Sequence, residues 1–215
     1  FTTVEVCVLS VSTALARLRD GLSEPFPDSP GTRIIDIAFP LNDAFDPLLW
    51  CGQQPQWPQF YWQQRNGDEE MAALGAVKSF PSLDAANRFL HQAGRQDLRI
   101  CGLNAFAPQQ GRLVLPRLEW RRCGGRAVMR LVLHSDLSLR DDAVTARDFL
   151  ASLTTAQATP CGVPPLLSER HSSDYPLWQA MIDLATQAIA AGDMDKVVLA
   201  RATDLQFAAP LDAVS

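Results

Sequence analysis

Lys196 is the residue of this sequence best placed to move a proton. It ends the stretch Gly192-Asp193-Met194-Asp195-Lys196, and Val197-Val198-Leu199 follow. A helical pattern runs into Gly192, and the β-branched run after the lysine reads as a buried strand. An amine at the mouth of such a strand can be partly stripped of water. That disfavours the charged ammonium, and a neutral amine is a base. Spacing alone favours the plainer alternative, a solvated lysine at a strand end, because lysine is rarely buried without a partner. Asp193 and Asp195 leave two alternatives open: they hold the ammonium and oppose base chemistry, or they form a hydrophilic turn between helix and strand. Arg201 lies five residues on, so a regular strand points it away from Lys196, and the two are not placed in one site.

Other reactive side chains form no constellation. His91, His134 and His171 are far apart, and none has a metal-ligand spacing. There is no nucleophile elbow, P-loop or dinucleotide-binding glycine turn. Asp68, Glu69 and Glu70 are consecutive, so in a strand they point to alternate faces and converge poorly on an ion; they read as a solvated turn. Arg117, Arg121, Arg122 and Arg126 gather around Trp120 and read as a solvated hairpin whose stems cover apolar surface. Trp50, Trp57 and Trp62 read as core. The five cysteines are an odd number, widely spaced and without a CxxC pair, so neither a zinc site nor a disulfide framework is expected. A reducing cytoplasm is the simplest compartment.

The totals exclude several classes of protein. With 47% hydrophobic and 20% charged residues, the chain is globular rather than disordered. A net charge of −5 disfavours nucleic acid as a partner. No apolar run reaches the length of a membrane span.

The elements that must position Lys196 are read from periodicity. Leu9, Leu15, Leu18 and Leu22 predict a helix capped by Ser12 or Thr13. Arg33 to Phe39 is a strand ended by Pro40. Phe45 to Gln53 is a short helix. Phe60–Arg65 and Met71–Phe80 form a hairpin about Asn66-Gly67, the pair that a type I′ turn demands. Ser82 caps a helix to Gly94 with the stripe Leu83, Ala86, Phe89 and Leu90. Leu98 to Phe106 is a strand. Leu113–Arg121 and Arg126–His134 form a second hairpin, and a helix lies within Asp136–Leu153. Residues 1–153 thus form an α+β region, an antiparallel β-sheet with helices packed on it. Residues 154–173, rich in Thr, Ser and Pro, read as a linker or surface loop. Residues 174–215 begin a second region with a helix over Asp174–Ala191 and the Lys196 strand.

Resemblance adds what spacing does not. Asp195-Lys196-Val197-Val198-Leu199-Ala200-Arg201 resembles the lysine-bearing strand of the chorismate-utilising enzymes, and within them the isochorismate synthase branch. The amino-transferring branch typically carries glutamine where Lys196 stands. Tyr61 to Glu70 and Pro116 to Gly125 are similar to the amino-terminal region of menaquinone-pathway isochorismate synthases. The likeness covers most of the chain from about Gly31 onward.

It implies the anthranilate synthase component I-like, chorismate-binding fold, truncated, with residues 174–215 an incomplete start of the chorismate-binding region. It implies isomerisation of chorismate to isochorismate, with Lys196 as the base that activates water. It also implies Mg²⁺ as cofactor, with its ligands and a glutamate general acid in segments this chain does not contain. The chain is therefore expected to be the amino-terminal part of a longer enzyme and inactive alone. Any dimer it forms is expected to be an effect of truncation. Two alternatives stand beside this reading. One is a non-catalytic α+β binding or assembly module. The other is part of a salicylate synthase or an amino-transferring chorismate enzyme; lysine rather than glutamine disfavours amino transfer.

Overall fold

Alternating apolar residues along four long segments build one antiparallel sheet, and each of its faces recruits helices. The computed structural model describes residues 11–39, 45–94, 97–106, 111–155 and 162–211. The chain divides into two compact units between Thr159 and Pro160.

The first unit runs α1 (Val11–Gly21), β1 (Gly31–Phe39), α2 (Pro47–Gly52), β2 (Gln59–Gln63), β3 (Glu69–Phe80), α3 (Leu83–Ala93), β4 (Cys101–Asn104), β5 (Gly111–Cys123), β6 (Arg126–Ser135) and α4 (Leu139–Ser152). The strand order is β1-β6-β5-β3-β2, and β4 pairs with the start of β5. All pairs are antiparallel, so the unit is the α+β arrangement the hairpins predict. Along β3, β5 and β6, Ala72, Leu74, Leu118, Trp120, Met129 and Leu131 share one face and bury against Leu15 and Leu18 of α1, Trp50 of α2 and Leu150 of α4. The opposite face carries a smaller core where Ala86 of α3 meets Phe80, Leu115 and Val132.

Local chemistry sets the ends of these elements. The Ser82 hydroxyl accepts from the Ala85 N–H, and Ser138 does the same for Asp141 N–H at the start of α4. Gly94 closes α3 in the left-handed conformation. The β2–β3 turn is not type I′, which needs positive φ at both central residues. Only Gly67 has it (φ 78°), and the turn closes with Gly67 N–H donating to Gln64 O at 2.8 Å. β3 bulges between Ala76 and Lys78. Just before the bulge Gly75 has φ +66°, and a Cβ there would lie 2.6 Å from Cε2 of Phe149 on α4. The sheet thus bends where the helix presses on it.

One ion pair pins α4 to the sheet. Arg117 of β5 is buried and makes two parallel bonds to Asp142 of α4, at 2.7 and 2.6 Å, while Nη1 also donates to Val132 O at 3.0 Å. Asp142 also accepts from His134 N–H at 2.9 Å.

Several sequence expectations are corrected. Arg117 is not a solvated stem, because its buried guanidinium finds Asp142. Glu70 is not part of a solvated turn. It is buried and accepts from Arg122 and from the Tyr61 hydroxyl. Trp50 is core, but Trp57 and Trp62 are 73% and 43% exposed. The strand expected over Leu98–Phe106 is only Cys101–Asn104. Leu9 and Pro40 lie outside the described residues.

The second unit contains β7 (Leu166–His171), α5 (Tyr175–Ala191) and β8 (Thr203–Phe207). β7 and β8 form a two-stranded antiparallel sheet. Part of the expected 154–173 linker is therefore strand. The expected strand at Val197–Leu199 is absent: that run has no ladder partner among the described residues, and strand pairing begins only at Thr203.

The ion pair yields a prediction. Asp142→Asn leaves the Arg117 charge buried and uncompensated, and is expected to lower unfolding stability by about 3–5 kcal/mol. The double variant Arg117→Met, Asp142→Leu is expected to recover most of the loss. Urea unfolding of the two variants measures the difference, and an additive double mutant would mean that the pair does not act as a unit.

Candidate functional site

The Lys196 loop is set by the end of α5. The Asp174 carboxylate caps the helix on Leu177 N–H at 2.9 Å. Gly192 ends it with φ 80°, donating to Ile189 O, while Asp193 N–H donates to Ala188 O. This is the double closure that an αL glycine permits. Residues 193–202 then continue as neither helix nor strand.

Lys196 is exposed on this segment, as are Asp193, Asp195 and Arg201. No ion pair or hydrogen bond joins their side chains to one another or to another described residue. Of the two alternatives for Asp193 and Asp195, the structure places the hydrophilic turn. Apolar side chains flank the lysine: Val197 and Val198 are 40% and 78% exposed. On α5, Leu177, Leu184 and Ile189 are exposed too, and none of its residues is buried.

The first unit holds a charged row, buried at Glu119 and Arg130 and exposed at Asp36, that sequence reasoning missed. Asp36, Arg130 and Glu119 are cross-strand partners on β1, β6 and β5. Arg130 donates to both Asp36 oxygens at 2.7 Å and to the Asp97 carbonyl at 2.6 Å. Its Nε lies 3.5 Å from Glu119 Oε1. Glu119 is only 2% exposed, and its Oε2 has no partner among the described residues. Burial raises the carboxyl above its ordinary range, with Arg130 pulling the other way. The signal was present as opposite charges on apolar strands, but it becomes legible only when the register is known.

Cysteine chemistry is not available in the core. Burial pushes the Cys51 thiol up to about 11 and Cys101 to about 12, so neither supplies a thiolate near neutrality. Among the described residues, Cys51, Cys101 and Cys123 are free. No group of three His, Cys, Asp or Glu among them could hold a metal ion. No helix among them is long and apolar enough to cross a membrane.

Comparison with known proteins adds the following. The family described as "Chorismate binding enzyme" matches residues 103–215. The chain is 55% identical over 207 residues to isochorismate synthase MenF of Escherichia coli K12, covering 96% of this chain and 48% of that protein. It is 30% identical to isochorismate synthase MenF of Pasteurella multocida, covering 82% and 40%. The solved structure of MenF, the menaquinone-specific isochorismate synthase from Escherichia coli, superposes with a TM-score of 0.84 at 54% identity. That match covers 95% of this chain and 48% of the solved one. The chain spans about half the length of the curated relatives it matches.

Two measurements follow from this geometry. The sequence has two lysines, Lys78 and Lys196, and Lys78 is half-buried and bound to Asp136. A limiting amine-reactive ester is expected to acylate Lys196 ahead of Lys78, as read by peptide mass spectrometry; faster labelling of Lys78 would contradict the exposed placement. For Glu119, the folded value lies above the unfolded 4.5. Its stability contribution is then full below that value and is lost as pH rises through the folded value. Wild type is expected to lose urea stability relative to Glu119→Gln as pH rises from about 4 to about 8. A pH-independent difference would show that the carboxyl is not coupled to folding.

Proposed function

Because the chain belongs to the chorismate binding enzyme family, we propose that it forms the amino-terminal part of an isochorismate synthase acting in menaquinone synthesis. The observation that carries this reading is the 55% identity to isochorismate synthase MenF of Escherichia coli, sustained over 96% of the chain. A likeness that even spans both units and so reaches the Lys196 loop.

The proposed reaction adds water at C2 of chorismate while the hydroxyl at C4 leaves, so the net change is isomerisation. Lys196 takes the proton from the attacking water, and an acid returns one to the departing hydroxyl. A base of this kind must reach the water within a hydrogen bond and be neutral when it does. With water all round, an amine keeps its proton; covering Val197 and Val198 would thin the water around it. The relatives are about twice as long as this chain, and in this reading the cover comes from the length they add.

Magnesium belongs to the same proposal as the group that would neutralise the substrate carboxylate. The described residues do not fit it, having no cluster of three ligating side chains, and no step is derived through it. The acid likewise has no residue assigned in this chain. By itself the chain is therefore expected not to turn over chorismate. The cytoplasm is the proposed compartment, and the free Cys51, Cys101 and Cys123 agree with a reducing one.

The test is Lys196→Ala in the longer enzyme. Turnover is expected to fall by about 10²- to 10⁴-fold, the range for loss of a positioned base, with an unchanged circular dichroism spectrum and melting temperature. Wild-type turnover in a folded Lys196→Ala enzyme would remove the base assignment.

A further inference from the structure

A cavity of about 510 Å³ opens in the first unit between the end of β3, the start of β1, the end of β6 and α3. Its size falls within the range of small-molecule sites. Two kinds of wall meet in it. One is aromatic: Phe80 and Phe89 lie with ring centroids 5.2 Å apart, and Phe89 also meets His134 edge-on at 5.0 Å. The other is charged, made by Lys78, Arg88, His134 and Asp136.

The polar wall is only partly satisfied from within. The Lys78 ammonium donates to Asp136 Oδ2 at 2.5 Å and lies 3.3 Å from His134 Nε2. It also sits 5.6 Å from the Phe89 centroid. An ammonium has three donors, so one remains. Burial, and then Lys78, push His134 below its ordinary value, so the imidazole is neutral near pH 7. Its Nε2 lies 3.3 Å from both Lys78 Nζ and Asp136 Oδ1, and its Nδ1 lies 2.9 Å from Thr32 Oγ1. Arg88 makes no ion pair or hydrogen bond with any described residue, so its donor fork is unused.

The formal charges on this wall are two cations against one carboxylate, a surplus of one positive charge in a chain of net charge −5. A monoanion cancels that surplus. A dianion, such as phosphate in its doubly ionised form, would leave negative charge uncompensated beside Asp136. A guanidinium fork matches a carboxylate in a bidentate way. We propose that this cavity binds a small monocarboxylate on a flat apolar body, with its carboxylate between Arg88 and Lys78 and its body against Phe89. The proposal uses residues of the first unit only and does not rest on the role of Lys196.

Benzoate is the probe, with benzamide as its uncharged counterpart and inorganic phosphate as a bare anion, each titrated into the full chain by calorimetry and ligand-observed NMR. Benzoate is expected to bind saturably with a Kd of about 1 mM or tighter. Benzamide and phosphate are expected to bind at least about tenfold more weakly, the loss of one charge-assisted contact. Arg88→Gln is expected to weaken benzoate by a similar factor. Arg88 is exposed on α3, so this variant leaves the fold intact, while Lys196→Ala is expected to leave benzoate binding unchanged. Absence of saturable binding would overturn the proposal. So would equal binding of phosphate, full affinity in Arg88→Gln, or loss of binding in Lys196→Ala.

Discussion

The first unit is organised around a charge that cannot be neutralised. Arginine stays protonated at any physiological pH, so placing Arg117 between sheet and helix commits the fold to supplying a carboxylate at that point. Asp142 supplies it from the first turn of α4, and the same carboxylate takes the His134 N–H at the end of β6. One side chain thereby fixes α4 against two strands. Leu139, Ala143, Ala146 and Leu150 of α4 then face the sheet core. The bulge in β3 and the left-handed Gly75 lie beside this contact, where Phe149 needs the space a Cβ would fill. Burial supplies most of the free energy, but burial is not directional; the ion pair selects the one seating of α4 that leaves no guanidinium unpaired.

The second unit is constrained differently. α5 is well capped, and β7 and β8 close a ladder, yet neither buries an apolar stripe. Its helix rests on local signals: the Asp174 cap, Pro176 in the first turn and the Gly192 terminus. The same surface carries Lys196. Base chemistry needs a low-water environment, and Val197 and Val198, which follow the lysine in the chain, are themselves exposed. The proposed activity therefore depends on what covers this surface.

What was legible in the sequence divides along this line. Features written within a few residues were readable: the Ser82 cap, the helix ends at Gly94 and Gly192, and the hairpin about Gly124-Gly125. Features written across the sheet were not. Nothing local marks Arg117 as buried, since its partner is 25 residues away. Glu70 reads as a turn residue until β3 is paired with β5 and Arg122 arrives at 2.9 Å. Val197-Val198-Leu199 has strand composition, but composition does not provide a neighbouring strand, and the ladder forms later at Thr203. Trp57 and Trp62 read as core by type, yet aromatic bulk says only that burial would be favourable, not which way a side chain faces.

The division of labour between the two cationic side chains supports the reading of where proton chemistry can occur. Of 19 basic residues only two are lysines. Arginines occupy the structural positions: Arg117 on Asp142, Arg122 on Glu70 and Arg130 on Asp36. They suit that role because a guanidinium makes fixed bidentate bonds and does not release its proton. A lysine can release one, and the two here stand in opposite settings. Lys78 is held by Asp136 at 2.5 Å on the wall of a cavity. Lys196 is exposed and makes no ion pair with a described carboxylate, and the proposed reaction asks for water to be removed around it. A carboxylate at bonding distance would have opposed that change. The loop that carries Lys196 has two, Asp193 and Asp195, and the αL turn at Gly192 leads into a segment in which neither pairs with the amine.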